Sequence, residues 1–262
     1  MARYYTRSRE SLELPQCCFP RPVCPCGCPE LAGRTCRRVC MDVGHVLAEF
    51  DCSRPGGLSP LRTLAARLNE TPLSPGRPAI FLDRDGVIVK NVTRADGTVG
   101  SPRTLEEMEV VESVAILVRR AHEAGYALVV VTNQPDLARG SLDRHTLQIM
   151  HENLLQRIPH LDAIYTCPHD SSCGCNCRKP NPGLIKSAND DLRLRASNSW
   201  LIGDRSSDVE AGSAARIGSI CIPSQIKGVD APRICKAIVP HIRAESFRDA
   251  LAIATGLSDF AS

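Results

Sequence analysis

No apolar run in this chain approaches the roughly 18–20 residues that would cross a bilayer, so no membrane partner is expected. The first residues, MARYYTRSRESLELP, lack an apolar h-region, which argues against a secretory signal and for a cytoplasmic protein. A large excess of charge is missing too. The net charge is +3, and the ten Arg and seven acids of residues 1–76 account for it, leaving the remainder close to neutral. Arg34, Arg37 and Arg38 are too sparse for a nucleic-acid patch, so no nucleic-acid partner is expected. No obvious apolar extension suggests self-association, and a monomer is the default. What is present is ordinary: 262 residues, 43% apolar and 23% charged, enough for a sizeable core in one or two domains.

Cysteine is the exception. Of the 14, eight lie in residues 17–52 and four in 167–177, with Cys221 and Cys235 apart. In a reducing compartment, clustered cysteines point to metal more often than to disulfides. Residues 1–76 are also rich in Pro and poor in large apolar side chains. They read as a disordered extension, with a second metal module as the alternative. Within them only LRTLAARL, residues 61–68, has the pattern of a short amphipathic helix.

A regular domain is expected over residues 77–262. Strands are predicted at 79–82, 127–131, 162–166, 199–202 and 219–222. Helices are predicted at about 111–124, 143–157, 182–191, 207–216 and 245–255. Alternation of this kind indicates an α/β fold with a parallel sheet and helices on both faces. Ligands of such sheets sit beyond the carboxyl ends of the strands. Three polar clusters fall there: Asp83-Arg84-Asp85, Thr132-Asn133-Gln134, and Gly203-Asp204.

Two carboxylates at one strand end repel unless a cation or shared proton relieves them. Asp83 and Asp204, with a backbone carbonyl near Asp85, form a hard-oxygen set suited to Mg²⁺. A metal-neutralised Asp83 could attack phosphorus, and Asp85 could serve as general acid and base. The Thr132 hydroxyl and Lys179 could hold and neutralise phosphoryl oxygens. Asp208, four residues after Asp204, reads as a cap in the first turn of a helix or as a group supporting the metal ligands, rather than as a ligand itself. Residues 86–107 form the one long irregular segment of the domain. It reads either as a solvated hairpin or as a substrate loop through Asn91, Thr93 and Arg94.

DRDGV, VVVTNQ, CRKPNPG and IGDRSSD, in that order, resemble motifs I to IV of the haloacid-dehalogenase-like (HAD) phosphohydrolases. The resemblance covers roughly residues 79–222. It implies a Rossmann-like core, Mg²⁺, Asp83 as nucleophile, Asp85 as general acid/base, Thr132 and Lys179 as phosphoryl stabilisers, and Asp204 as a Mg²⁺ ligand.

CPHDSSCGCNCRKP offers Cys167, His169, Cys175 and Cys177 as two spaced pairs for a tetrahedral Zn²⁺. On spacing alone Cys173 could replace Cys175. The segment resembles the zinc loop of the heptose 1,7-bisphosphate and histidinol-phosphate phosphatases, relatives that lack a large cap domain. That likeness implies a structural zinc fixing Arg178 and Lys179 over a small sugar-phosphate substrate. Arg84, Asn133, Gln134 and Arg205 are further candidate substrate contacts. The heptose group fits better, with departures: Pro135-Asp136 where it carries Ser-Gly or Gly-Gly, Val89 in place of Asn, and Arg205 in place of Lys. The expected reaction is removal of the C7 phosphate of a heptose 1,7-bisphosphate. The alternatives are histidinol phosphate or another small phosphomonoester, and, from another class, a non-catalytic binding module.

Overall fold

The computed structural model describes residues 61–66, 68, 73–224 and 241–258, so the cysteine-rich stretch 17–52 lies outside the described residues. A seven-stranded sheet organises the fold. Its strands are β1 (Leu61–Leu64), β2 (Pro78–Leu82), β5 (Ala127–Asn133), β6 (Ala163–Cys167), β7 (Arg195–Gly203), β8 (Gly218–Cys221) and β9 (His241–Arg243), in the spatial order β1-β6-β5-β2-β7-β8-β9. All neighbours are parallel except β1, which runs antiparallel along β6. A small hairpin, β3 (Val92–Thr93) with β4 (Val99–Gly100), stands in the segment between β2 and the first helix, where no larger cap is inserted.

Among the described residues the α-helices are α1 (Val114–Glu123), α2 (Arg144–Arg157), α3 (Gly183–Asp191), α4 (Ser206–Ala214) and α5 (Phe247–Thr255). Alternation along the strands divides the core in two. Ile80, Leu82, Leu128 and Val130 pack with Leu117 of α1, Met150 and Leu154 of α2 and Leu251 of α5. Ala79, Phe81, Val129 and Val131 face the opposite side, with Leu184 and Ile185 of α3 and Ala211 of α4. Each such Leu, Ile, Val or Phe contributes about 1.5–3 kcal/mol by leaving water. Both faces are therefore covered, which is why β2 and β5 read as continuous apolar runs. Helix starts are set locally: Asp143 accepts the Thr146 N–H before α2, and Ser246 accepts that of Asp249 before α5.

One element departs from expectation. LRTLAARL does not open as a helix: Leu61–Leu64 is strand β1, paired from Leu61↔Thr166 to Leu64↔Ala163. Eight residues satisfy a period of 3.6 and a period of 2 almost equally, and the open edge of β6 decided between them. Thr63 is buried against the sheet, and Arg62 pairs with Asp191 at 2.9 Å. The folded unit thus begins before the expected boundary at residue 77. β9 was not foreseen, and β7 starts earlier than predicted because residues 195–198 are exposed and carry no apolar signal. Among the described residues no helix is long and apolar enough to cross a membrane.

Candidate active site

The chain runs β2, β5, β6 outward in one direction, then returns to place β7, β8 and β9 on the other side of β2. This reversal makes the carboxyl end of β2 the switch point where α/β sheets open a crevice. The Asp83 N–H makes the last ladder bond, to the Ile202 carbonyl at 2.9 Å. Beyond it the backbone turns sharply: the Arg84 carbonyl accepts from both Ile88 and Val89, and Gly86 donates to the Val89 carbonyl. Gly86 has φ +92°, and a Cβ there would stand 2.6 Å from Asp204 Oδ2, so this position needs glycine on both counts.

Lys179 lies at the centre of the crevice, 4% exposed. Its Nζ is 2.8 Å from Asp83 Oδ1 and 2.7 Å from Asp208 Oδ1. Carboxylate oxygens of Asp83, Asp204 and Asp208 all lie within 4.8 Å of one another, and all three residues are buried. Burial raises the Asp83 pKa to about 6, with Asp208 and Asp85 adding to the rise and Lys179 opposing it. Burial and then Asp83 raise Asp204 as well. For Lys179 burial acts downward but is outweighed by Asp208 and Asp83, so the ammonium is held charged. Three buried acids against one lysine leave an excess of negative charge. Asp204 Oδ1 makes no hydrogen bond among the described residues, and Arg205 Nε stays 3.9 Å away. An unsatisfied buried oxygen within a cluster of hard oxygen donors fits a small divalent cation such as Mg²⁺.

Asp85 belongs to a second group. Its Oδ1 accepts from Arg84 Nε at 2.9 Å and its Oδ2 from Gln134 Nε2 at 2.7 Å, and Gln134 also reaches Thr132 Oγ1 at 3.0 Å. The carboxylate of Asp85 is therefore absent from the three-acid cluster. Two residues expected to contact substrate are engaged within this group. Arg84 and Gln134 are both 0% exposed, and each holds one oxygen of the Asp85 carboxylate.

Asn133 is spent on the backbone of Lys179. Its Oδ1 accepts the Lys179 N–H at 3.0 Å and its Nδ2 donates to the Lys179 carbonyl at 3.1 Å. Arg178 Nη1 donates to the His169 carbonyl, tying the lysine segment to the cysteine loop. Asn91 adjoins Gly86, with Nδ2 2.9 Å from where a Cβ would stand. Arg94 is on the hairpin, donating to the Ser101 carbonyl and lying 3.9 Å from Glu107. Arg205 is half exposed beside Asp204.

Asp208 takes both of the roles expected of it, cap and support of the site. It does cap its helix, accepting the Arg205 N–H, and it is also a partner of Lys179. The spacing of Asp204 and Asp208 in GDRSSD was the available signal. Ser224, which donates to Asp204 Oδ2 at 2.7 Å, carried none.

The cysteine loop closes on itself. Cys167 Sγ is 3.7 Å from Cys175 Sγ, and Cys175 Sγ is 3.6 Å from Cys177 Sγ. His169 Nδ1 is 3.5 and 3.3 Å from Cys167 and Cys177 Sγ. A tetrahedron with Zn–S of about 2.3 Å has S···S edges of about 3.8 Å, whereas a disulfide needs about 2.05 Å. The four donors thus fit zinc, and Cys175, not Cys173, completes the set. The three thiols share their protons unevenly. Hydrogen bonds from Cys167 and Cys177 lower the Cys175 pKa, while Cys167 is pushed up to about 12.

Comparison with known proteins gives the family and the fold. The HAD-hydrolase-like family model matches residues 176–250. D-glycero-β-D-manno-heptose-1,7-bisphosphate 7-phosphatase of Salmonella typhi is 38% identical over 153 residues, covering 54% of this chain and 78% of that protein. The Vibrio cholerae protein of the same name is 39% identical over 154 residues, covering 55% and 79%. Among solved structures, D,D-heptose 1,7-bisphosphate phosphatase from B. bronchiseptica, complexed with magnesium and phosphate, superposes with a TM-score of 0.58 at 24% identity, covering 67% of this chain and 97% of that one. A HAD-like phosphatase from Mesorhizobium loti gives the same score and identity, covering 78% and 94%.

Proposed function

Because the chain belongs to the D-glycero-β-D-manno-heptose-1,7-bisphosphate 7-phosphatase family of HAD-like hydrolases, we propose that it is a Mg²⁺-dependent phosphatase that removes the C7 phosphate of that sugar bisphosphate. The observation that carries the reading is the buried cluster of Asp83, Asp204 and Asp208 around Lys179 at the switch point of the sheet.

Asp83 and Asp204 would hold Mg²⁺, with the backbone carbonyl of Asp85, whose side chain is already engaged. The cation would supply charge neutralisation for Asp83 and for the incoming phosphoryl oxygens. An Asp83 oxygen attacks phosphorus, the bond to the sugar oxygen breaks, and Asp85 gives its proton to that oxygen. Water then attacks the phosphorus of the aspartyl-phosphate and yields a proton to Asp85. The Asp83–phosphorus bond breaks and inorganic phosphate leaves. Lys179 and the Thr132 hydroxyl stabilise the charge on the transferring group. Asn91, Arg94, Arg178 and Arg205 are the residues proposed to meet the sugar and its second phosphate. Zn²⁺ on Cys167, His169, Cys175 and Cys177 would be structural, since all four positions are filled by protein.

The test is phosphate release with Mg²⁺ from both anomers of heptose 1,7-bisphosphate, fructose 1,6-bisphosphate and histidinol phosphate. A kcat/KM for one heptose anomer about a hundredfold above the rest, roughly 2.7 kcal/mol of discrimination, supports the assignment. Equal, slow turnover of all four removes heptose as the substrate.

A further inference from the structure

His151 occupies the buried face of α2 beside Leu147, Met150 and Leu154, an apolar stripe in which a histidine is out of place. It is 3% exposed, and its Nε2 lies 3.2 Å from Arg84 Nη1. A guanidinium has five N–H groups and no acceptor, and it keeps its charge in proteins. The imidazole atom facing it must therefore be a bare nitrogen, which makes His151 the neutral tautomer protonated on Nδ1. Burial and the Arg84 charge agree with this, holding the His151 pKa well below its usual value.

The same guanidinium reaches Asp85 Oδ1 through Nε, while Gln134 supplies the one donor to Oδ2. Each carboxylate oxygen thus has one hydrogen bond from these partners and a second lone pair left for a proton. Arg84 Nη2 bonds to nothing among the described residues, so Nε and Nη1 alone set the plane of the guanidinium. Without an acceptor for Nη1, the guanidinium can turn toward the bidentate pairing it prefers with carboxylates, occupying the lone pairs of Asp85.

We propose that His151 is a positioning residue for the reaction: by accepting from Arg84 Nη1 it keeps the guanidinium single-pronged on Asp85 and leaves that carboxyl free to exchange a proton. This rests on the reading of Asp85 as general acid and base. It predicts a defect that grows with the need of the leaving group for a proton.

The experiment measures kcat on two Mg²⁺-supported substrates, an alkyl phosphate with a basic leaving oxygen and p-nitrophenyl phosphate, whose leaving group departs without one. In His151→Leu the alkyl-to-aryl ratio should drop about tenfold, and His151→Gln, whose amide oxygen can accept, should restore most of it. Equal losses on both substrates, or no loss, would overturn the role and leave the phosphatase reading standing. A wild-type protein that turns over neither these esters nor the heptose bisphosphates would sink both. Should the leucine variant not fold, ¹⁵N NMR of the wild-type ring decides: a bare Nε2 is required, and a protonated Nε2 contradicts the proposal.

Discussion

Asn133 holds the Lys179 backbone on both sides of its Cα, accepting its N–H at 3.0 Å and donating to its carbonyl at 3.1 Å. The residue at the tip of β5 is thereby coupled to the lysine that neutralises the site. Ordering by the cysteine loop reaches the same segment through Arg178 and through Asn181, whose Nδ2 donates to the Cys175 carbonyl. Asn133→Ala should release the lysine segment without unfolding the sheet. We expect kcat to fall about ten- to a hundredfold, since misplacement of about 1 Å costs on that order. Circular dichroism should be unchanged.

Lys179→Met should be costly even without substrate. It would leave Asp83 and Asp208 as unpaired buried charges, and breaking such a pair costs about 3–5 kcal/mol. Thermal unfolding should show the loss without metal, and Mg²⁺ should return part of it by taking over the neutralisation.

The Asp83 pKa of about 6 gives the pH dependence its sign. It lies above the unfolded value of 3.8, so the folded metal-free protein holds this proton more tightly than the unfolded chain does. The contribution of this group to stability is fully present below pH 3.8 and is lost as pH rises through about 6. Mg²⁺ needs the ionised form, so its affinity should weaken progressively below that pH and its binding should release protons there. Calorimetry in buffers of different ionisation enthalpy measures that release, and it should disappear in Asp83→Asn.

The edge strand is a further test. Starting the chain at residue 77 removes β1 and exposes the backbone of β6, an aggregation-prone edge. Light scattering should show association of that chain, and one starting before Leu61 should remain dispersed.

Much of this was legible because the chemistry sits where strand signals end. ALVVVT and WLIG are short buried strands, and the polar residues that follow them must gather at one edge of the sheet. The cluster of Cys167, His169, Cys175 and Cys177 was legible for a similar reason, since its four donors lie close in sequence. Legibility failed where three dimensions decided. Arg84 sits between two site acids in sequence, so only the fold reveals that it is fully buried and bonded to Asp85. Asp208 was legible as a cap or a supporting group, but the partner it supports, Lys179, is 29 positions away and no local pattern names it. LRTLAARL became a strand because β6 had a free edge, which no local pattern records.

The most direct test of the account is the covalent intermediate at Asp83. Rapid acid quench during turnover with Mg²⁺, followed by peptide mapping, should find the phosphoryl group on the Asp83 carboxylate, and Asp83→Asn should be folded and inactive. Steady turnover with no adduct on that peptide, or appreciable activity in Asp83→Asn, would contradict it.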